Sequence, residues 1–296
     1  MFSRIVIVLI WVTSIQCAQY VVRSAGIAGS LDYRLYFVNE GEEVISPFHD
    51  IPLNNGSVFN MVVEIPRWHN AKFEINKETQ FNPIVQDRSN QSLRFAYNIF
   101  PYKGYLWNYG AFPQTWEDPN HITQGLDTRG DNDPIDVIEI GDRVAILGEV
   151  LQVKILGIIA LIDQQKTDWK VVVVDINDPL ATKLHDVGDV NIYKPGLLNA
   201  TATWFCVYKT PDGQEPNMIA YNGQIRNKTF ATNIVMETHQ YWNALINGTT
   251  PRKNIETINV SVDGSPYRVP PNVTLATGLI QDPHPVPASV DKWYYL

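Results

Sequence analysis

Three aspartates within six residues are the side chains of this 296-residue sequence best suited to chemistry. Asp131, Asp133 and Asp136 stand directly ahead of an apolar stretch that begins at Val137. Like charges at this spacing repel, and burying them is costly unless a cation compensates. A cluster of oxygen ligands suits a hard divalent cation such as Mg²⁺. The run therefore suggests a metal site, and an acidic surface turn is the alternative interpretation.

The local geometry of this run is expected to bring its carboxylates together. In an extended segment, Asp131 and Asp133 project to the same side. Pro134 fixes φ, which lets the chain turn and direct Asp136 toward the same point. An EF-hand loop is excluded, because Pro134 lies inside the loop and Asp136 occupies the position of the required glycine.

Further charged side chains lie in or beside predicted strands. Asp163 ends an apolar run, and Asp168 and Lys170 begin the next after a short turn, so two carboxylates and a lysine should meet at one strand mouth. Lys72 and Glu74 are two residues apart in a strand and therefore share a face. Each of these is more often structural when it occurs alone, so their functional value comes from the set.

The elements that position these residues are predicted to be short strands followed by helices. Runs rich in Val and Ile predict strands over residues 58–65, 71–75, 135–140, 150–162 and 169–176. Helical spacing predicts a helix that opens at Pro195 and a second over 229–247. We expect an α+β, mainly β fold: a closed five-stranded OB-like barrel with a few flanking helices. A long proline-rich tail over 249–296 should wrap the surface and end in an aromatic anchor, Trp293-Tyr294-Tyr295.

Composition excludes some classes of partner. An apolar fraction of 45% can build a large core. The formal net charge of -8 argues against nucleic acid and anionic membrane surfaces as partners. We predict a single domain over residues 18–296, with its core over about residues 33–248.

The first 17 residues have the pattern of a secretory signal peptide. A short basic lead that ends at Arg4 precedes the apolar run from Ile5 to Val12, and small or polar residues follow as far as Cys17. Because a membrane helix needs roughly 20 apolar residues, no stable membrane span is expected, and a retained signal anchor is the alternative. A chain that did not use this segment would be cytoplasmic.

Glycosylation sequons support the secretory route and predict a secreted glycoprotein. Seven Asn-x-Ser/Thr sequences start at Asn55, Asn90, Asn199, Asn227, Asn247, Asn259 and Asn272. Loss of Cys17 with the signal would leave Cys206 without an intramolecular partner, so no disulfide is expected to stabilise the core.

Several segments together resemble the soluble family I inorganic pyrophosphatases of the eukaryotic type. They are GDNDPIDV at 130–137, FHDIP at 48–52, MVVEIPRW at 61–68, NYGAFPQTW at 108–116, DWK at 168–170 and YK at 208–209. The similarity runs from about residue 25 to 248. It implies Mg²⁺-dependent hydrolysis of inorganic pyrophosphate to two phosphates.

The resemblance also implies roles for individual residues. Asp133 would deprotonate a water that bridges two metals, with Tyr109 and Lys170 beside the electrophilic phosphate. The implied metal ligands are Asp131, Asp136, Asp163, Asp168 and Glu74. The resemblance implies two to four Mg²⁺ per active site, for which Mn²⁺, Zn²⁺ or Co²⁺ could substitute. The resemblance implies that the phosphoryl oxygens are bound by Lys72, Arg94, Tyr208 and Lys209. It places Glu64 and Tyr105 in the outer shell.

Two further features bear on this resemblance. Gln164-Gln165-Lys166 stands where the eukaryotic pattern often has acidic residues and glycine, so we expect weaker or altered metal dependence. Arg67-Trp68 match residues at the homodimer interface of eukaryotic relatives, so a homodimer is expected. A binding protein without turnover and an interaction subunit are the alternatives. The complete set of matched residues disfavours the first, and the signal segment and acidic charge disfavour the second.

Overall fold

Short strands make up most of the regular structure in this computed structural model, which describes residues 20–89, 91–123, 125–271, 278, 281 and 285–296. The predicted signal peptide and the sequons at Asn90 and Asn272 lie outside the described residues. In chain order the strands are β1 (Val21–Ala25), β2 (Arg34–Val38), β3 (Val44–Ile45), β4 (Asn54–Asn55), β5 (Val58–Ile65), β6 (Phe73–Ile75), β7 (Ile84–Gln86), β8 (Arg88–Ser89), β9 (Ser92–Leu93), β10 (Asn98–Ile99), β11 (Asn108–Ala111), β12 (Arg129–Gly130), β13 (Asp136–Glu139), β14 (Val150–Asp163), β15 (Lys166–Asp175), β16 (Met218–Ile219), β17 (Arg226–Asn227) and β18 (Trp293–Tyr294).

The described residues also contain three α-helices, α1 (Val187–Tyr193), α2 (Leu197–Val207) and α3 (Lys228–Ile246), and 3-10 turns at Thr210–Asp212 and Tyr221–Gly223. The predicted helices correspond to α2 and α3. Helix α1 was not predicted, because it is short and Val190 is its one buried residue; a capping box between Asp186 and Asp189 begins it. In the part of the chain that the structure describes, no helix is long and apolar enough to cross a membrane.

Five strands close into a ring by successive pairing, in the order β5, β11, β13, β15, β14 and back to β5. The strands are not spaced evenly around one axis. Strands β13 and β15 run parallel, and their register sets Asp136 opposite Lys170. A second sheet of β1, β2, β3, β6 and β7 packs beside this ring and carries Glu74. The fold is therefore mainly β with few helices.

Two apolar clusters support the ring. One fills its interior with branched side chains such as Val63, Val137 and Val171, and α3 covers it with Ala231 and Val235. The other is rich in aromatic residues and includes side chains of the ring strands, of the segment before β11 and of α2; in it the rings of Trp107 and Phe205 stack at 4.9 Å between centroids. Aromatic stacking and burial restrict the side chains of this second cluster, which packs against the polar residues that line a cavity.

The acidic run is not extended, and this corrects the predicted geometry. Asn132 has a φ of 80°, in the left-handed region, so the backbone turns between Asp131 and Asp133. The Asp133 N–H donates to Asp131 Oδ1 at 3.0 Å, and the Asn132 N–H donates to the Glu117 carbonyl at 3.0 Å. A tight side-chain-supported turn, rather than strand alternation, thus brings the carboxylates together.

The hairpin between β14 and β15 turns on two residues, fewer than the predicted turn. Asp163 pairs with Lys166, and Gln164 and Gln165 between them have φ values of 49° and 66°. Two successive residues with positive φ form the turn type whose twist matches a β-hairpin. The turn sets Asp163 at the end of β14, where it lines the same cavity.

The C-terminal tail is anchored where predicted. Strand β18 pairs in parallel with β10, and the rings of Tyr294 and Tyr97 lie 4.8 Å apart between centroids. Earlier in the tail, the N–H groups of Val260 and Ser261 each donate to Asp50 Oδ1 at 2.8 Å. Specific contacts therefore hold the tail to β10 and to the segment that contains Asp50. Cys206 is a free thiol.

Candidate active site

The structure brings every predicted site residue to one cavity of about 300 Å³. The cavity lies where β11, β13, β14 and β15 meet the second sheet and the end of α2. Its lining includes the predicted residues Glu64, Lys72, Glu74, Arg94, Tyr105, Tyr109, Asp131, Asp133, Asp136, Asp163, Asp168, Lys170, Tyr208 and Lys209. Co-location is what the structure establishes, and the individual roles stay predictions.

Lys170 occupies the centre of this cavity. Its ammonium group contacts the carboxylates of Asp136 and Asp168 and donates to Tyr109 Oη at 3.0 Å. Burial alone would lower the pKa of Lys170, but Asp136 and Asp168 outweigh it and raise that pKa well above its usual value. Lys170 therefore stays protonated and can donate hydrogen bonds throughout the physiological pH range.

An acidic cluster lies beside Lys170. Ligand oxygens of Glu117, Asp131 and Asp168 all lie within 4.8 Å of one another. Burial, reinforced by Asp133 and Asp136, raises the pKa of Asp131 to about 7. Burial, reinforced by Asp131, raises the pKa of Glu117 well above its usual value. Carboxylates held this close in a desolvated site need added positive charge to remain ionised together.

The donor set fits a divalent cation. Two carboxylate oxygens, Glu117 Oε2 and Asp163 Oδ1, are buried without a hydrogen-bond partner among the described residues. Buried polar atoms are normally paired, so carboxylate oxygens that have no hydrogen-bond donor and lie beside other carboxylates are suited to bind a cation. Oxygen donors of this kind suit Mg²⁺ and similar hard cations. The acidic cluster can therefore hold metal.

Cationic groups also line the cavity. Arg94 Nη1 lies 2.8 Å from Asp87 Oδ2, which fixes the guanidinium group. Lys72 contacts Glu74, and Lys209 contacts Asp163. These groups leave donors directed into the cavity that a phosphate can take.

Tyr208 and Tyr109 add neutral donors to the cavity. Tyr208 Oη donates to Asp163 Oδ2 at 3.3 Å. Burial and, to a smaller extent, the negative charge of Asp136 raise the pKa of Tyr109 well above 10. Burial likewise raises the pKa of Tyr208. Both phenols are therefore neutral hydrogen-bond donors at working pH.

The two predicted outer-shell residues support this arrangement from beneath. Glu64 Oε1 accepts a hydrogen bond from the Ile75 N–H at 2.7 Å, which ties β5 to β6. Burial and, to a smaller extent, the negative charge of Asp136 raise the pKa of Glu64 well above its usual value. The ring of Tyr105 packs between those of Tyr109 and Trp204, at 5.1 and 5.0 Å between centroids.

Three residues of the site were not predicted from the sequence. Lys77 forms an ion pair with Asp133, and its Nζ donates to the Asn132 carbonyl at 2.9 Å. Asp87 holds Arg94, and Glu117 Oε1 accepts from the Trp169 N–H at 3.0 Å. Glu117 directly follows the NYGAFPQTW segment, which is the one signal that could have identified it. Lys77 and Asp87 gave no such signal, because only tertiary contacts bring them to the site.

Known proteins with similar sequence and fold are inorganic pyrophosphatases. A family model described as inorganic pyrophosphatase matches residues 61–243. The inorganic pyrophosphatase of Neurospora crassa is 50% identical over 290 residues, covering 94% of this chain and 98% of that protein. The one from Drosophila melanogaster is 51% identical over 258 residues, covering 86% and 76%. The solved structure of the Schistosoma japonicum inorganic pyrophosphatase matches with a TM-score of 0.85 and 42% identity, covering 94% of this chain and 100% of that one. The chain belongs to the inorganic pyrophosphatase family.

Proposed function

We propose that this chain is an inorganic diphosphatase, a hydrolase that converts pyrophosphate to two phosphates with Mg²⁺. The observation that carries the proposal is the single cavity in which several carboxylates lie together with Lys72, Arg94 and Lys209. Pyrophosphate is a dense polyanion, so its hydrolysis needs positive charge around the phosphoryl oxygens and a base beside an attacking water. The cavity offers both, and the family relationship supports the same reaction.

The carboxylates would hold two to four Mg²⁺. Asp131, Asp136 and Asp168 are proposed for the first, Asp136 also for a second, Asp163 with Asp168 for a further one, and Glu74 for a fourth through water. Bound divalent cations lower the pKa of coordinated water and neutralise charge on the phosphates. We expect Mn²⁺, Zn²⁺ and Co²⁺ to be able to substitute.

Asp133 is proposed to accept the proton of the attacking water. It lies at the cavity edge, where Lys77 fixes its carboxylate. Tyr109 and Lys170 are proposed to lie beside the electrophilic phosphorus and to donate to the oxygens that gain charge. Their 3.0 Å hydrogen bond and their burial hold both donors in place before the reaction, which is where such donors have most effect.

The remaining predicted residues would bind and orient the substrate. Arg94 can give two donors to one phosphate, whereas Lys72 and Lys209 act as point charges and Tyr208 as a neutral donor. Glu64 and Tyr105 would position these groups from the outer shell. Their contacts with β6 and Trp204 support that role.

At the level of the molecule we propose one catalytic domain over residues 18–296, exported by a signal peptide at 1–17 and glycosylated. The cytoplasm is the alternative compartment if the signal is not used. The strand ring supports description as a closed OB-like barrel. We also propose a homodimer through Arg67 and Trp68, and no nucleic-acid partner.

The test is phosphate release from pyrophosphate by the purified chain, with Mg²⁺ and with chelator. We expect Mg²⁺-dependent release that falls by 10² to 10⁴ in Asp133→Asn, the range typical for loss of a general base. Asp127→Asn, an exposed acid outside the cavity, is the matched control and should leave the rate unchanged. No release from the folded, Mg²⁺-loaded parent would overturn the proposal and favour a binding role.

A further inference from the structure

The surface carries asparagines that catalysis does not use. Five of the seven sequons lie in the part of the chain that the structure describes, and it separates them into two groups. Asn55, Asn199, Asn227 and Asn247 are exposed, whereas Asn259 is completely buried. An N-linked glycan is bulky and requires a surface position. The sequence alone does not distinguish which of the five can be glycosylated.

Asn259 cannot carry a glycan in the folded protein. Its Nδ2 donates to the Thr257 carbonyl at 3.1 Å and to Ser265 Oγ at 2.9 Å, so both amide hydrogens are used. Its Oδ1 accepts from the Val262 N–H at 3.2 Å. Because a glycan replaces one hydrogen of Nδ2, modification would break this buried network and leave a polar group unpaired.

Three of the exposed sequons lie at positions where the backbone turns or a helix faces solvent. Asn55 precedes Gly56, whose φ of 68° makes the tight turn between β4 and β5. Asn199 is on the exposed side of α2, and Asn247 caps the C-terminal end of α3. None of the three lines the catalytic cavity.

Asn227 has a structural role that is compatible with a glycan. It is the N-cap of α3, and its Oδ1 accepts the Phe230 N–H at 3.0 Å. The cap uses the amide oxygen, while the glycan bonds to the amide nitrogen. Asn227 can therefore do both, and Thr229 completes its sequon without taking part in the cap.

We propose that, in the secretory pathway, this chain receives N-linked glycans at Asn55, Asn199, Asn227 and Asn247 and none at Asn259. The inference rests on the proposed export and is independent of catalysis. The donor is an oligosaccharide linked to a lipid pyrophosphate. The bond from its anomeric carbon to the pyrophosphate oxygen breaks, and the lipid pyrophosphate leaves with the electron pair of that bond. A bond from the anomeric carbon to Nδ2 forms, and the proton that Nδ2 loses passes to the surrounding water.

The test is site-by-site glycan mapping on the full chain secreted from insect cells. A second version, in which a signal peptide of a well-secreted protein replaces residues 1–17, guarantees entry into the pathway. Peptides are analysed by mass spectrometry after enzymatic deglycosylation in ¹⁸O-water, which labels each occupied asparagine. We expect label at the four exposed sites and none at Asn259 in both versions.

Two variants separate the glycan from the cap at Asn227. Thr229→Ala removes the sequon alone, so one glycan should be lost while the thermal unfolding midpoint, compared between parent and variant made without glycans in bacteria, stays unchanged. Asn227→Ala removes both, so the midpoint should fall. A glycan at Asn259 in folded protein, or four bare exposed sites in the version with the replaced signal, would overturn the proposal. Glycans on that version alone would contradict only the native signal, and pyrophosphatase activity is measured separately.

Discussion

Lys77 fixes the residue proposed as general base. Its ammonium group contacts the Asp133 carboxylate and donates to the neighbouring Asn132 carbonyl. Burial alone would lower the pKa of Lys77, but Asp133 and Asp131 outweigh it and raise that pKa. The lysine therefore remains charged and restrains Asp133 to one position.

Replacing Lys77 with methionine should slow the reaction more than it weakens substrate binding. We expect kcat to fall roughly 10- to 100-fold, because small misplacements of a catalytic group have effects of this size. KM should change less, since Lys77 contacts the base and not the groups proposed to bind substrate. Steady-state phosphate release measures both values, and Lys253→Met, at an exposed position, is the control. An unchanged kcat would contradict the positioning role.

The Gln164-Gln165 turn allows a test of the expected metal dependence. Glutamate at position 164 has nearly the size of glutamine and adds a charge next to Asp163. We expect Gln164→Glu to tighten Mg²⁺ binding roughly two- to fivefold, by long-range attraction that salt weakens. Isothermal titration of Mg²⁺ without substrate measures this, with the remote Gln224→Glu as control. Identical titration curves for the parent and Gln164→Glu would contradict the expectation that residue 164 affects metal binding.

At the scale of elements, the sequence predicts strands and helices better than it predicts their pairing. The branched runs locate β5, β14 and β15 closely, because strand propensity and burial agree there. The parallel register of β13 with β15, which sets Asp136 opposite Lys170, depends on pairings between segments distant in sequence. No local pattern encodes such a register. The positions of Lys77 and Asp87 were missed for the same reason.

One buried histidine connects the FHDIP segment to α3 and the tail. Its Nδ1 accepts from Trp242 Nε1 at 2.9 Å, and its Nε2–H donates to the Glu256 carbonyl at 2.9 Å. Burial lowers the pKa of His49 to about 4. The neutral ring satisfies both neighbours, whereas a protonated Nδ1 would face the Trp242 donor.

This histidine should make the fold sensitive to mild acid. Because its folded pKa lies below the unfolded value of about 6.5, the unfolded chain binds the proton first and stability falls as pH drops from about 6.5 to about 4. Between pH 7 and 5 we expect His49 to account for a loss of about 2 kcal/mol in the free energy of unfolding. Urea denaturation at both pH values should show a correspondingly smaller loss in His49→Gln than in the parent and in the exposed control His185→Gln. Equal losses in all three would refute this role.

At the scale of the whole molecule, overall charge and local charge oppose each other. The net charge of -8 repels a polyanion at long range. Screening at physiological ionic strength limits that repulsion to about 8 Å. A polyanion that reaches the cavity is therefore attracted mainly by the positively charged side chains there. We therefore expect Lys72, Arg94 and Lys209, which are proposed to bind substrate, to contribute more to substrate capture than the average surface does.

An exposed apolar surface around Trp68 is the candidate dimer contact. Trp68 is 54% exposed and Ile146 65% exposed, beside a cavity of about 820 Å³ that Val144 also lines. Arg67 Nε is buried there without a partner among the described residues. Contiguous apolar surface of this kind marks interaction sites.

A charge introduced at Trp68 should therefore dissociate the proposed dimer. We expect the parent to sediment as a dimer and Trp68→Glu as a monomer, because a buried carboxylate without a partner is costly at an interface. Ile192→Glu, at a 70% exposed position on α1, should remain dimeric. Sedimentation velocity distinguishes the two states, and a monomeric parent would exclude the dimer.

The pairing of Lys209 with Asp163 has a consequence for how two ligands bind together. A cation that takes the Asp163 carboxylate competes with Lys209 for it, and the released ammonium group becomes available to a phosphoryl oxygen. Conversely, a substrate that draws Lys209 away frees Asp163 for a cation. Such competition is a thermodynamic linkage in which each ligand raises the affinity for the other by the same factor. If Asp163 binds metal and Lys209 binds substrate as proposed, the cavity would select cation and pyrophosphate as a pair and would hold either one alone less tightly.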